Sequence, residues 1–475
     1  MNLQRKPSLP ASANQDGRSS RRASHSARRI IVAALALLAL ALGYLTLHPE
    51  HAPAALADRI ADLTGANAHP IKLMRPAQAP LSGLALLGRE MFNDPSLSAS
   101  GKQSCASCHS ADHSYGPPDG RSVRLGGPNL ISEGLRPPPS LAYLYRQLPF
   151  GIGPESAEND TPASLSQLAA QGAATLRAAK TAGASAAAAA AIVPQGGLFW
   201  DGREDTLMAQ ASGPMLNPAE MANKDQAEIV GKLLHARYRD RFGALFGPAI
   251  YGNPDMLFAE AMSALSRFQI EDVSFHRFDS KYDRWLEGKA RLSPAELRGL
   301  KLFNDPAKAN CAGCHLSAPG ADGLPPLFTD TEYEALGVPR DQHLAANRDP
   351  NFHDMGLCGP LRTDLARQTQ YCGMFLTPTL RNSARRGVYF HNGVYHTLRE
   401  VLDFYNLRNV APGRIYPRDA SGKIAIFNDL PAAYRKNVDF ADAPFDRKAG
   451  APPPLSDRDI ADIIAFIHTL DDGTR

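Results

Sequence analysis

The chain has 475 residues, 44% apolar and 21% charged, with a formal net charge of +3, a composition ordinary for a globular protein. At roughly 100–200 residues per domain it has room for two or three domains. Seven basic residues (Arg5, Lys6, Arg18, Arg21, Arg22, Arg28, Arg29) stand against one acid, Asp16, in residues 1–29. The remainder is slightly acidic and carries no basic footprint for nucleic acid.

The basic leader precedes an uncharged apolar run, Ile30 to Leu47. At about 1.5 Å per residue this run just spans a hydrocarbon core of about 30 Å. Arg28 and Arg29 on its N-terminal side place that end in the cytoplasm, so the rest is exported to the periplasm. An uncleaved inner-membrane anchor is the first reading. A cleaved signal peptide is the second, against which stand the long leader and the distance of Ala55-Leu56-Ala57 from the run. Residues 48–80, rich in Ala and Pro, read as a linker.

Beyond it lies an internal duplication. Gly88-Arg-Glu-Met-Phe92-Asn93-Asp94-Pro95 is followed by Ser104-Cys-Ala-Ser-Cys-His109, and Gly299-Leu-Lys-Leu-Phe303-Asn304-Asp305-Pro306 by Asn310-Cys-Ala-Gly-Cys-His315. A unit repeated at this distance implies two similar domains, 81–290 and 291–475, rather than a solenoid. Residues 160–193 are an Ala-rich insertion, helical or flexible and without chemistry. Ser293-Pro294-Ala295-Glu296 is a capping box with Pro at the first helical position. Ser456 and Asp459 repeat the device ahead of Ile460, Ile463, Ile464 and Ile467, which fall on one helical face. Strand signals are sparse. The expected fold is mostly α, with two cytochrome c-like haem domains in tandem behind an N-terminal anchor.

The two Cys-x-x-Cys-His motifs carry the chemistry. Cys105 and Cys108 can add to the vinyl groups of one haem above His109, and Cys311 and Cys314 to those of another above His315. A zinc site would need a second Cys/His pair at suitable spacing, and the repeated His and the export signal argue against it. Of the six cysteines, Cys358 and Cys372 remain. In an oxidising compartment a disulfide closing a short loop with Arg362 and Arg367 is the natural reading, a free thiol the alternative.

Phe199-Trp200-Asp201-Gly202-Arg203, Gln210-Ala211, Pro214 and Glu220-Met221, then Thr377-Pro378-Thr379-Leu380-Arg381-Asn382 and Tyr389-Phe390-His391-Asn392-Gly393, resemble the bacterial dihaem cytochrome c peroxidases and their relative MauG. The resemblance runs from about Leu81 to Leu470 outside the insertion. It implies a peroxide-reactive N-terminal haem, a C-terminal haem that stores or relays electrons, and a tryptophan between them. Trp200 takes the bridging place, with core packing as the plainer role for a Trp; Trp285 lies outside the matched segments. Glu220 and Gln210 take the places of the distal glutamate and glutamine. A carboxylate there can move a proton between the peroxide oxygens, and an amide can orient the peroxide without titrating.

Two departures matter. No His occurs between His113 and His235, and His113 is too near His109 to reach the far face, so the N-terminal haem is expected to be open unless His69 or His276 closes it. Tyr405 stands where the peroxidases have an axial methionine and MauG a tyrosine, with Met355 and Met374 as competing ligands. The family also holds a calcium between its haem domains. Here Pro137 replaces the asparagine ligand and Arg386-Gly387-Val388 the carbonyl-donating segment, which argues against calcium because a hard cation wants several oxygens. The implied activities are reduction of hydrogen peroxide with electrons from a periplasmic donor, or MauG-like high-valent oxidation of an aromatic residue on a partner protein. The alternative is a non-enzymatic electron carrier.

Overall fold

The computed structural model describes residues 17–154, 192–320 and 322–473; most of the insertion expected at 160–193 lies outside them. Residues 1–70 form one compact unit and residues 71–475 another. In the first, helix α1 (Gly17–Leu47) contains Arg29–Leu47, long and apolar enough to cross a membrane; an anchor and a signal sequence meet that test alike. The segment read as a linker is partly helical: α2 (Ala54–Thr64) ends at Gly65, whose positive φ of 72° closes it with a bond from its N–H to Ala61 O.

The second unit is mostly helical, and among the described residues its strands form three two-stranded antiparallel sheets. It has two principal cores. The first gathers Leu87, Met91, Phe92, Phe242, Leu265, Phe268 and Phe275, and the second Tyr282, Leu300, Phe303, Phe328, Ile463 and Phe466. Each contains one copy of the duplicated motif.

The structure explains the Gly, Phe, Asn and Asp of that motif in both copies. Gly88 lies in α3 (Gly83–Phe92) and faces α4 (Pro254–Glu271); a Cβ there would meet Ala264 O at 1.9 Å. Gly299 lies in α5 (Pro294–Phe303) and faces α6 (Asp457–His468); its Cβ would meet Asp462 O at 2.0 Å. Both glycines permit backbone contact at a helix crossing. Phe92 meets Phe268 and Phe275 edge-on, and Phe303 meets Phe328 and Phe466 likewise. Asn93 and Asn304 donate their side-chain amides back to Arg89 O and Leu300 O, each at 2.9 Å. Asp94 and Asp305 accept from the backbone N–H two residues on, again at 2.9 Å, and so turn the chain toward the cysteines. Both expected capping boxes, Ser293 with Glu296 and Ser456 with Asp459, are present.

Adding a methyl group at either crossing forces the helices apart, at a cost of about 1–3 kcal/mol. Gly231, in the helix Gln226–His235, has no atom within 4 Å of its Cβ position, so Ala there gains helix propensity of up to about 1 kcal/mol. In thermal melts, Gly88→Ala and Gly299→Ala are therefore expected to unfold earlier than the unmodified protein and Gly231→Ala no earlier. Equal midpoints for all three variants would contradict the crossing role.

Candidate functional site

The haem motifs fold alike. Cys105–Cys108 and Cys311–Cys314 each form one helical turn, with the following His at its C-terminal end. All four thiols are unpaired, and burial is the main force pushing Cys105 and Cys311 up to about 12. Among the described residues, the sole trio of His, Cys, Asp or Glu ligand atoms close enough to share a metal ion is the exposed His48, Glu50 and His51. Neither motif is arranged as a zinc site.

Each motif histidine is held in one tautomer. His109 Nδ1 is 3.0 Å from Tyr115 O, and His315 Nδ1 is 2.9 Å from Phe328 O. Nδ1–H donates to the carbonyl, which leaves the Nε2 lone pair to an iron. Burial pushes both imidazoles down to about 4, so both are neutral at physiological pH. Tyr115 and Phe328 both have a φ of 56°, uncommon for bulky residues. This left-handed kink aims the carbonyl at the imidazole.

A second duplication, not recognised in the sequence, holds the kink. Leu141 N donates to Tyr115 O and Leu380 N to Phe328 O, at 3.1 and 3.3 Å. Ser140 Oγ donates to Ser114 O, and Thr379 Oγ1 to Leu327 O, the carbonyl just before each aromatic. The same hydroxyls accept from Ala142 N and Arg381 N. Pro139-Ser140-Leu141 and Pro378-Thr379-Leu380 are thus one device used twice, and the shared Pro-[Ser/Thr]-Leu pattern was the available signal. At the second copy, Arg381 also pairs in fork geometry with Asp283 (2.9 and 2.6 Å) and donates to Pro326 O, with both ionic side chains fully buried.

Around the second motif the structure brings together half of the predicted residues. Cys311, Cys314, His315, Trp200 and Tyr405 line one largely apolar cavity. Tyr405 projects from the helix Leu398–Leu407, stacks on Phe445 at 5.5 Å, and is pushed well above the usual phenol range chiefly by burial. Met355 and Met374 are not among the lining residues. Trp200 donates its indole N–H to Pro137 O at 3.2 Å. Trp285 instead packs on the second core and stacks with Tyr282.

Around the first motif, Glu220 stands close enough for its charge to raise both Cys105 and Cys108. Burial pushes Glu220 up, opposed by Arg203 and by a bond from Asn217 Nδ2 to Oε1 at 2.6 Å. Gly126 lets the chain pass against it, since a Cβ there would meet Ala219 O at 2.3 Å and Glu220 Cα at 2.8 Å. Gln210 is buried on the helix Leu207–Leu216, which leads into Asn217 and Glu220. His113 stays within its turn, 3.3 Å from Ser110 Oγ, His276 bonds Ile270 O, and His69 bonds Asp58.

The Trp200 segment is pinned from three sides. Asp201, fully buried, accepts from Arg136 and Arg203, each at 2.8 Å. Arg136 forks onto Asp354 as well. Cys358 and Cys372 are joined by the expected disulfide. Arg362, inside the loop it closes, donates to the carbonyls of Asp201 and Gly202 at 2.9 and 3.0 Å.

Comparison with known proteins agrees with this geometry. The family profile of the di-haem cytochrome c peroxidases matches residues 83–291. The chain is 33% identical to the methylamine utilization protein MauG of Paracoccus denitrificans over 349 residues, 70% of this chain and 76% of that one. It is 28% identical to the cytochrome c551 peroxidase of Nitrosomonas europaea over 75% of this chain and 81% of that one. The crystal structure of the dihaem peroxidase BthA from Burkholderia thailandensis superposes with a TM-score of 0.69 at 33% identity, covering 85% of this chain and 89% of that one. With a neutral, oriented histidine behind each haem motif and relatives matching across both, the chain belongs to the dihaem cytochrome c peroxidase and MauG family of haem oxidoreductases.

Proposed function

We propose that this chain is a periplasmic dihaem peroxidase whose two haems are thioether-linked through Cys105 and Cys108 and through Cys311 and Cys314. The α1 helix holds it at the inner membrane. When bound, the haems supply peroxide cleavage at the first site and one-electron storage at the second. The observation that carries the reading is the pair of cradles, each with a neutral His whose Nδ1–H is fixed by a carbonyl.

The protein's own part at the first site is proton handling. Asn217 occupies Glu220 Oε1, which leaves Oε2 to take a proton from peroxide and return it to the departing oxygen. Burial raises the affinity of Glu220 for that proton, moving it toward the range useful near neutral pH. Gln210 orients the peroxide. Among the described residues, His113, His276 and His69 all bond elsewhere and do not close this site. Trp200 carries electrons between the sites, and its bond to Pro137 O fixes the indole plane.

Tyr405 at the second site favours the MauG-like reading, oxidation of an aromatic residue on a partner protein, over reduction by a small cytochrome donor. A tyrosine oxygen can become anionic and stabilises oxidised iron, whereas a neutral thioether favours reduced iron and raises the potential.

Two variants test the proposal. Glu220→Gln is expected to slow the reaction with peroxide by about 10²–10⁴-fold in stopped-flow mixing, with both haem additions still present in the intact mass. An unchanged rate would remove Glu220 from the mechanism. Tyr405→Met is expected to raise the potential of the second haem in spectroelectrochemical titration. A thioether–iron absorption band already present in the unmodified protein would contradict ligation by Tyr405.

A further inference from the structure

The inter-domain calcium of the family does not fit this chain. Pro137 in place of the asparagine removes the side-chain ligand, and nearby backbone carbonyls already accept hydrogen bonds. Pro137 O accepts the indole N–H of Trp200 at 3.2 Å. Arg386 O accepts the Tyr389 hydroxyl at 2.8 Å. Gly387 O is 3.2 Å from His396 Nδ1, and the backbone of Gly387 packs directly on Gly120, each glycine's Cβ position lying 3.0–3.1 Å from the other's backbone. Among the described residues no trio of His, Cys, Asp or Glu ligand atoms forms there.

What the segment brings instead is a guanidinium. Arg386 Nε lies 3.9 Å from the Cβ position of Gly116, on the turn Ser114–Gly116. The same turn is held from its other side by the bonds from Ser140 and Leu141, and it aims Tyr115 O at His109. The two places where the family binds its cation, around Pro137 and around Arg386, thus flank one turn of the first haem cradle. The neighbouring Arg385 faces Asp471 at 3.8 Å. Arg386 pairs with no carboxylate among the described residues; the one titratable group acting on it is Tyr389, and burial works against its charge. A partly buried cation left without a protein anion is costly unless an anion arrives with the ligand.

We infer that Arg386 replaces the family's calcium: its guanidinium supplies the fixed positive charge beside the first haem cradle, would pair with an anionic group of the bound haem, and makes the enzyme calcium-independent. The inference rests on the haem reading above. Unlike a bound ion, this charge cannot be lost to a chelator, and it comes with the fold.

The test uses the holoprotein with both haems confirmed by intact mass, which separates loss of charge from failure of the haem reading. Elemental analysis after desalting is expected to find no stoichiometric calcium. Chelator and added calcium chloride are expected to leave the paramagnetic resonance spectrum and the melting temperature unchanged. Arg386→Met removes a positive charge, so the potential of the first haem is expected to fall, and Arg386→Lys to restore most of it. One calcium per chain whose removal changes the spectrum would overturn the inference. So would a potential that Arg386→Met leaves unmoved. Should the Met variant fail to fold, the calcium measurements on the unmodified protein decide.

Discussion

The buried carboxylate of Asp201 is the interaction on which both sites depend. It accepts from Arg136 and Arg203, and Arg136 reaches onward to Asp354, which lines the second cavity. Three stretches distant in sequence are locked around one residue, and the residue before it is Trp200. On the other side, Arg203 stacks on Phe199 at 3.5 Å and its charge opposes the rise of the Glu220 carboxyl. One ionic knot therefore holds the Trp200 segment and bears on the charge of the Glu220 carboxyl. Removing one member of such a buried network typically costs about 3–5 kcal/mol, because its partners keep uncompensated charge. The disulfide loop adds a cap through Arg362 to the same carbonyls.

Around this knot the chain repeats a single solution to holding a haem histidine. A glycine lets two helices touch, a phenylalanine fills the core, and an Asn-Asp pair turns the chain into the cysteine helix. A left-handed aromatic then presents its carbonyl, steadied by a Pro-[Ser/Thr]-Leu segment. The copies differ where the chemistry differs. The first has the Glu220 carboxylate near its cysteines. The second has Tyr405 in its cavity and the fully buried Arg381–Asp283 pair behind its cradle.

Much of this was legible in the sequence because covalent attachment and close packing demand fixed residues at fixed spacing. The cysteine motifs, Gly88 and Gly299, the capping boxes and the Cys358–Cys372 pair all follow from local pattern or simple chemistry. The carbonyls of Tyr115 and Phe328 were not legible: a carbonyl belongs to every residue, and the gaps from His109 and His315 differ, 6 against 13 residues. The role of Asp201 was hidden for a related reason. Its partners Arg136 and Asp354 lie far away in the chain, and charge pairing across such distances leaves no periodicity to read. The helix Ala54–Thr64 was masked by the Ala- and Pro-rich composition that suggested a linker.

In the proposed enzyme one haem site is open to peroxide while the other is closed by a protein ligand. Electron paramagnetic resonance of the oxidised holoprotein tests it most directly. A high-spin ferric signal from the first site is expected beside a low-spin signal from the second. Two low-spin signals would contradict it, since some side chain would then occupy the face that Glu220 and Gln210 are held to serve.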